Sequence, residues 1–212
     1  PTGCGKSTVL NMAAGLLTPS KGTVKVFGEE LVGLNKRAGY MFQAEALMPW
    51  RTAIDNVSAG LQFKGVPEKE RHEQARHWLS RVGLSGFEDR YPHELSGGEL
   101  QRVCIARALA PAPRFIIFDE ALSGLDAALQ QDILQLLRSL KTPESTWLFI
   151  THDLTALRSI CTDAVLLEDG RAALQIDTSA IDTSENPLLR QLASLFKEKS
   201  RLTAGLTLKG RP

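Results

Sequence analysis

Pro1-Thr2-Gly3-Cys4-Gly5-Lys6-Ser7-Thr8 decides how this chain is read. It fits the pattern GxxxxGK[ST] in all but the first glycine, whose place falls just before Pro1. Glycines let backbone N–H groups wrap a phosphate, and the N-terminus of the following helix turns partial positive charge toward it. Lys6 would reach the β- and γ-phosphates of a nucleotide, and Ser7 would ligate Mg²⁺. Taken alone, the segment could also be a Gly-rich turn capping a helix.

Working outward, Phe115-Ile116-Ile117-Phe118-Asp119-Glu120 places two carboxylates after four apolar residues. An apolar strand delivers the pair to its C-terminal edge, where ligands bind in open α/β sheets. Asp119 is the expected Mg²⁺ carboxylate, direct or through water. Glu120 is the candidate general base for an attacking water. An acidic strand end is common by itself; its weight comes from the phosphate-type loop upstream.

Leu95-Ser96-Gly97-Gly98-Glu99 opens another helix. Ser96 as N-cap with Glu99 three residues on reads as a capping box. Two exposed glycines in a first turn are costly for a cap alone, and they suit close approach of an anion to the backbone. The chain thus carries two phosphate-type helix starts and one lysine-bearing loop. Sharing of each nucleotide by two chains resolves this. His152, after Trp147-Leu148-Phe149-Ile150-Thr151, could contact a γ-phosphate, although a lone His is more often structural. Gln43, after Tyr40-Met41-Phe42, could ligate Mg²⁺ or position water. Met41, Met48 and Trp50 read as core or contact surface rather than a cofactor site.

The rest of the pattern is α/β. Helix is expected after Ser7 to about Leu17, a turn at Thr18 to Gly22, and strands at Thr23 to Phe27 and Arg37 to Gln43. From about Ala46 to Pro111 the pattern is helical. Pro67 starts a helix whose apolar face is Ala75, Trp78, Leu79 and Val82, with Gly83 as its stop. Arg114 to Asp119, Thr146 to Thr151 and Ala164 to Leu167 read as strands; Ala127 to Leu140 and Leu154 to Ile160 read as helices. This alternation implies a mostly parallel sheet covered on both faces. The expected division is a core over 1–45 and 111–175, a helical subdomain over 46–110 and a tail over 176–212. The tail is hard to read, with a short helix over Leu188 to Phe196.

Bulk properties agree. Charged residues are 23% and hydrophobic residues 43%, an ordinary globular composition. A formal net charge of +1 gives no argument for a nucleic-acid partner. No apolar run approaches the ~20 residues of a membrane-spanning helix, so a membrane role would come through a partner. Cys4, Cys104 and Cys161 are widely spaced and read as reduced thiols, not a disulfide framework or zinc site.

In order and spacing these motifs resemble the ATP-binding subunit of ABC transporters. Pro1 to Thr8 is similar to Walker A, Gln43 to the Q-loop glutamine, and Leu95 to Glu99 to the signature motif. Phe115 to Glu120 is similar to Walker B with its catalytic glutamate, Ser123-Gly124-Leu125-Asp126 to the D-loop, and His152 to the switch histidine. The resemblance runs from Pro1 to about Arg171. It implies a P-loop NTPase (RecA-like) α/β core with an inserted helical subdomain, and ATP hydrolysis with ATP and Mg²⁺ as ligands. Glu120, His152 and Gln43 would act in catalysis. Gly3, Cys4, Gly5, Lys6, Ser7, Thr8, Ser96, Gly97, Gly98, Glu99 and Asp126 would hold nucleotide, and Ser7, Gln43 and Asp119 the metal. The implied partners are a second ATP-binding subunit, identical or not, permease subunits in the membrane and a solute-binding protein; nucleic acid is not among them. The implied location is the cytoplasmic face of the inner membrane.

Phe42-Gln43, Leu47-Met48-Pro49-Trp50-Arg51-Thr52, Asp55-Asn56-Val57 and Arg90 to Ser96 are similar to nitrate/sulfonate/taurine-type importers. Asp119 to Asp126 and Ile150 to Leu154 look more like peptide/nickel-type importers. An exporter or a soluble, non-transport ABC ATPase is the alternative, although the short Gln43-to-Ser96 interval excludes the coiled-coil repair type. Glu99 stands where the signature usually has Gln, and Ala121 where many members have Pro. Family members carry strands and an adenine-stacking aromatic residue before the loop, so these are expected to precede Pro1. The segment from Pro1 alone is expected to be a weak ATPase.

Overall fold

The computed structural model describes residues 4–42, 46–151, 153–168 and 170–180. They fall into two compact units, Gly5–Ile150 and the residues from Thr151 together with Cys4.

In the larger unit a three-stranded parallel sheet has the order β3 (Ala38–Met41), β4 (Phe115–Asp119), β5 (Thr146–Ile150). Ile117 lies opposite Tyr40 on one side and Leu148 on the other. Alternation then sorts the side chains. Phe115 and Ile117 join Leu10 of α1 (Lys6–Ala13) and Ala14 just past its end in one buried cluster, with Ala38, Tyr40, Leu148 and Ile150 packed against it. Gly39 points to the opposite face, where a Cβ would come within 2.6 Å of the Ala108 carbonyl oxygen on α4 (Gly97–Leu109). The absent side chain lets β3 lie directly beneath α4. The chain is therefore α/β, a parallel sheet between helices, as its pattern implies.

α1 ends earlier than expected, at Ala13 rather than about Leu17. Gly15 takes a φ of +73°, and any Cβ there would collide with the Gly33 carbonyl. The last turn closes through Gly15 N–H to the Met12 carbonyl and Leu16 N–H to that of Asn11. Buried Asn35 donates its Nδ2 to the Ala13 carbonyl at 3.0 Å and satisfies an orphan acceptor. The strand expected over Thr23 to Phe27 is shorter. β1 (Lys25–Val26) pairs antiparallel with β2 (Glu29–Glu30) through a two-residue turn at Phe27 and Gly28, both at positive φ.

The helices α2 (Ala53–Phe63), α3 (Glu68–Arg81) and α4 pack against one another. Ala75, Leu79 and Val82 are fully buried, as the apolar stripe requires, and Gly83 ends the helix at φ +77°. α5 (Ala127–Leu140) buries Ile133, Leu134 and Leu137. Its bounds match the sequence reading, because Asp126 caps one end and its apolar stripe stops at Leu140. In the second unit α6 (Leu154–Ile160) precedes β6 (Asp163–Glu168) and β7 (Arg171–Asp177), an antiparallel pair. β7 is a strand after Gly170 that the sequence reading did not place. Asp169-Gly170 between two strand-like runs was the available hairpin signal. The helix proposed for Leu188 to Phe196 lies outside the described residues. Among the described residues no helix is long and apolar enough to cross a membrane.

The loop before α2 hangs on one side chain. Asn56 is fully buried; its Oδ1 accepts from Met48 N–H at 2.8 Å, and its Nδ2 lies 3.0–3.1 Å from the carbonyls of Met48, Arg51 and Thr52. Asn56→Ala would strand these groups, at about 2–3 kcal/mol for buried polar atoms left unpaired. Urea unfolding should show that loss. A change below about 0.5 kcal/mol, the level of ordinary surface substitutions, would contradict the role assigned to Asn56.

Candidate functional site

The first turn of α1 begins at Gly5, which takes the left-handed φ of +93° that places Lys6 and Ser7 at the helix start. Lys6 is half-buried, Ser7 and Thr8 are exposed, and Cys4 is buried. No acidic side chain lies in this first turn. That suits an anionic ligand, since the unpaired N–H groups at a helix start already carry partial positive charge. Gly3 lies outside the described residues.

β4 ends at Asp119, and Glu120 follows at φ +48°. A glutamate in the left-handed region stores backbone strain and persists only where its surroundings hold it. Here its N–H donates to the Ile150 carbonyl at 3.1 Å, and its own carbonyl accepts from Ser123 N–H at 2.9 Å. Buried Gln101 of α4 donates to the Ala121 carbonyl from the other side. The turn after the strand is thereby pinned by β5 and α4 together.

Asp119 receives a hydrogen bond from Tyr40 on β3, Oη to Oδ2 at 3.1 Å, and the Asn11 carboxamide of α1 lies 3.4 Å from the same hydroxyl. Burial first, then the charge and hydrogen bond of Asp119, push the Tyr40 phenol well above its usual value, so it remains a neutral donor. Through this contact the structure brings α1 and the carboxylate end of β4 together. Sequence reasoning missed Tyr40, Asn11 and Gln101. Gln101 could have been found as the polar residue on the face of α4 that also carries buried Cys104, Ile105 and Ala108.

The predicted capping box at α4 is present. Ser96 Oγ accepts from Glu99 N–H at 3.4 Å, and Glu99 Oε2 accepts from Ser96 N–H at 2.7 Å and from its hydroxyl at 2.8 Å. The two glycines differ, which corrects the expectation that both are exposed. Gly97 is open, and a Cβ added to it would meet no atom within 4 Å, whereas Gly98 is half-buried and a Cβ there would lie 3.0 Å from Leu129 of α5. Packing within the chain accounts for Gly98; open approach is left to Gly97. The Asp126 carboxylate caps α5, accepting from Ala128 and Leu129 N–H at 3.0 and 2.9 Å. Gln43 and His152 lie outside the described residues. Among the described residues no cluster of three or more His, Cys, Asp or Glu could hold a metal. The hydroxyl of Ser7 and the carboxylate of Asp119 are hard oxygen donors. They fit Mg²⁺ held by few protein ligands alongside phosphate oxygens.

A family model described as ABC transporter matches residues 1–123. An uncharacterised ABC transporter ATP-binding protein of Methanocaldococcus jannaschii is 47% identical over 154 residues, covering 72% of this chain and 57% of that protein. The taurine import ATP-binding protein TauB of Escherichia coli K12 is 42% identical over 171 residues, covering 80% of this chain and 67% of TauB. The chain therefore spans somewhat over half to two thirds of these relatives. Among solved structures, the dimeric post-hydrolysis state of the ATP-binding cassette MJ0796 bound to ADP and Pi superposes with a TM-score of 0.73 at 34% identity. It covers 84% of this chain and 82% of that one.

The cap at α4 has a pH signature. Hydrogen bonds from the Ser96 backbone and hydroxyl, then the charge of Arg90, hold Glu99 below its ordinary 4.5. A carboxyl with a depressed folded-state pKa stabilises above its unfolded value, and that contribution is lost as pH falls through the folded one. Glu99→Gln keeps an acceptor without the charge. Thermal unfolding of the two proteins should differ most above pH 4.5 and converge below it. A difference that stays constant across the acid range would show that the carboxylate charge contributes nothing to the cap.

Proposed function

The chain belongs to the ABC transporter family, and we propose that it is the ATP-binding and ATP-hydrolysing subunit of an importer. The observation that carries the proposal is the exit of β4, where a buried apolar strand hands over Asp119 and then Glu120 at φ +48°. Backbone strain at a carboxylate, held in place by α4 and β5, supports a site whose geometry serves chemistry. Import is supported by the likeness to TauB, whose name is that of a taurine import protein. The sequence motifs after Gln43 point the same way. The solute is selected by the permease and solute-binding partners, at the cytoplasmic face of whose membrane this subunit would dock.

In the proposed reaction the backbone around Gly5 and the Lys6 ammonium bind the β- and γ-phosphates. Ser7 and Asp119, with Gln43, would hold Mg²⁺, which when bound offsets charge on the phosphate oxygens. Glu120 accepts a proton from water as its oxygen bonds to the γ-phosphorus. The bond to the bridging oxygen breaks, and ADP departs with the electron pair. His152 would steady the γ-phosphate. Two chains would face head to tail, so that each ATP lies between the Lys6 loop of one and the Ser96-Gly97 helix start of the other. That a solved structural relative is dimeric and bound to ADP and Pi supports a two-chain assembly.

Glu120→Gln keeps the shape and removes the proton acceptor. In the full-length protein, turnover should fall by about 10²–10⁴, the usual value of a positioned general base, with ATP binding retained. Steady-state phosphate release and equilibrium binding decide this, and near-normal turnover would overturn the assignment. Lys6→Ala should instead lower MgATP affinity as well as rate, because it removes the cation at the β- and γ-phosphates. Equilibrium dialysis showing unchanged affinity would remove the phosphate-loop reading of Pro1 to Thr8.

A further inference from the structure

Asp119 is served by a side chain that no motif names. Tyr40 lies opposite Ile117 in the parallel register, and Asp119 stands two residues beyond Ile117 on the same sheet face. A diagonal neighbour at this offset is ~7–8 Å away, within reach of an aromatic side chain and beyond a short one. The phenol spans that gap and donates to Asp119 Oδ2 at 3.1 Å. Its ring is fixed on one side by the α1–β4 core cluster and on the other by Phe42, stacked at 4.2 Å with planes 28° apart. The Asn11 carboxamide, one turn along the helix that starts with Lys6 and Ser7, lies 3.4 Å from the same hydroxyl. One phenol therefore ties the Asp119 carboxylate to the helix carrying the phosphate loop.

We propose that Tyr40 is a positioning residue for metal-bound nucleotide: its hydroxyl fixes the rotation of the Asp119 carboxylate and leaves Oδ1 for the Mg²⁺ hydration shell. This rests on the reading of Asp119 as the metal carboxylate. A carboxylate free to turn must give up that freedom when Mg²⁺–nucleotide arrives; one already held by Tyr40 does not. In this proposal Tyr40 acts on the metal through Asp119, its hydrogen-bond acceptor.

The test compares Tyr40→Phe, Asp119→Asn and the double variant in the full chain. ATP affinity is measured by equilibrium binding in EDTA and with Mg²⁺, and Mn²⁺ binding in the presence of ATP by electron paramagnetic resonance. Tyr40→Phe is expected to leave affinity in EDTA unchanged. It should weaken the Mg²⁺-dependent gain and Mn²⁺ binding about tenfold, the lower end for a hydrogen bond to a charged group. In the Asp119→Asn background it should add nothing. If Asp119→Asn loses the metal dependence and Tyr40→Phe keeps it, the positioning role is wrong while the site reading stands. Equal losses with and without metal, with a lowered unfolding temperature, would reduce Tyr40 to a core residue and overturn the proposal. If Asp119→Asn itself leaves metal dependence intact, the site reading fails and this inference falls with it.

Discussion

Parallel pairing of β4 between β3 and β5 is the constraint on which the rest depends. Phe115 to Phe118 are buried on both faces, so no residue of the strand can satisfy its backbone through water, and both neighbours must supply the ladder. The first position that escapes is Asp119. Everything chemical follows from where that escape occurs. α1 packs under Phe115 and Ile117, which sets its N-terminus, with Lys6 and Ser7, relative to the strand. α4 lies over Gly39 on the other face and sends Gln101 to the turn after Glu120. Slipping the register by one residue would exchange the two faces and separate Asp119 from Tyr40.

Sequence reading succeeded where a single local signal and the tertiary demand coincide. α5 has the expected bounds because cap, stripe and length agree, and α6 also keeps the bounds read for it. The capping box at Ser96 and Glu99 was legible because its bonds join residues three apart. The end of α1 was not legible. Leu16 and Leu17 continue an apolar pattern past Gly15, whose positive φ ends the helix close against the Gly33 backbone. Gly98 misled for a related reason: a glycine seen in sequence cannot tell an external ligand from Leu129, thirty-one positions away in the chain (129 − 98). Tyr40 and Gln101 were missed because each partner is fixed by strand register or by helix placement, neither of which a linear motif encodes.

The carboxylate end of β4 also explains why the site combines strain with satisfaction. Glu120 occupies a backbone region unfavourable to it, yet its N–H and C=O are both bonded, and the following carbonyl is bonded too. The cost is local and the support comes from elements already needed for the core. By contrast, the Ser96 helix start spends its side chains on itself, with Glu99 bonded to Ser96 and open backbone left at Gly97. Its first turn, residues 97–100, holds no basic residue, whereas the α1 start carries Lys6. The two halves are complementary, as a site divided between two chains requires.

Complementation tests this division most directly. Lys6→Ala chains and Ser96→Arg chains are each prepared separately, then mixed with MgATP, and the nucleotide retained by the sedimenting dimer is counted. A shared site predicts that neither variant traps nucleotide alone and that the mixture does, because the Lys6 of one chain meets the intact Ser96 helix of the other. If the mixture retains no more than the two variants kept apart, both halves belong to the same chain's site, and the division of each nucleotide between two chains is wrong.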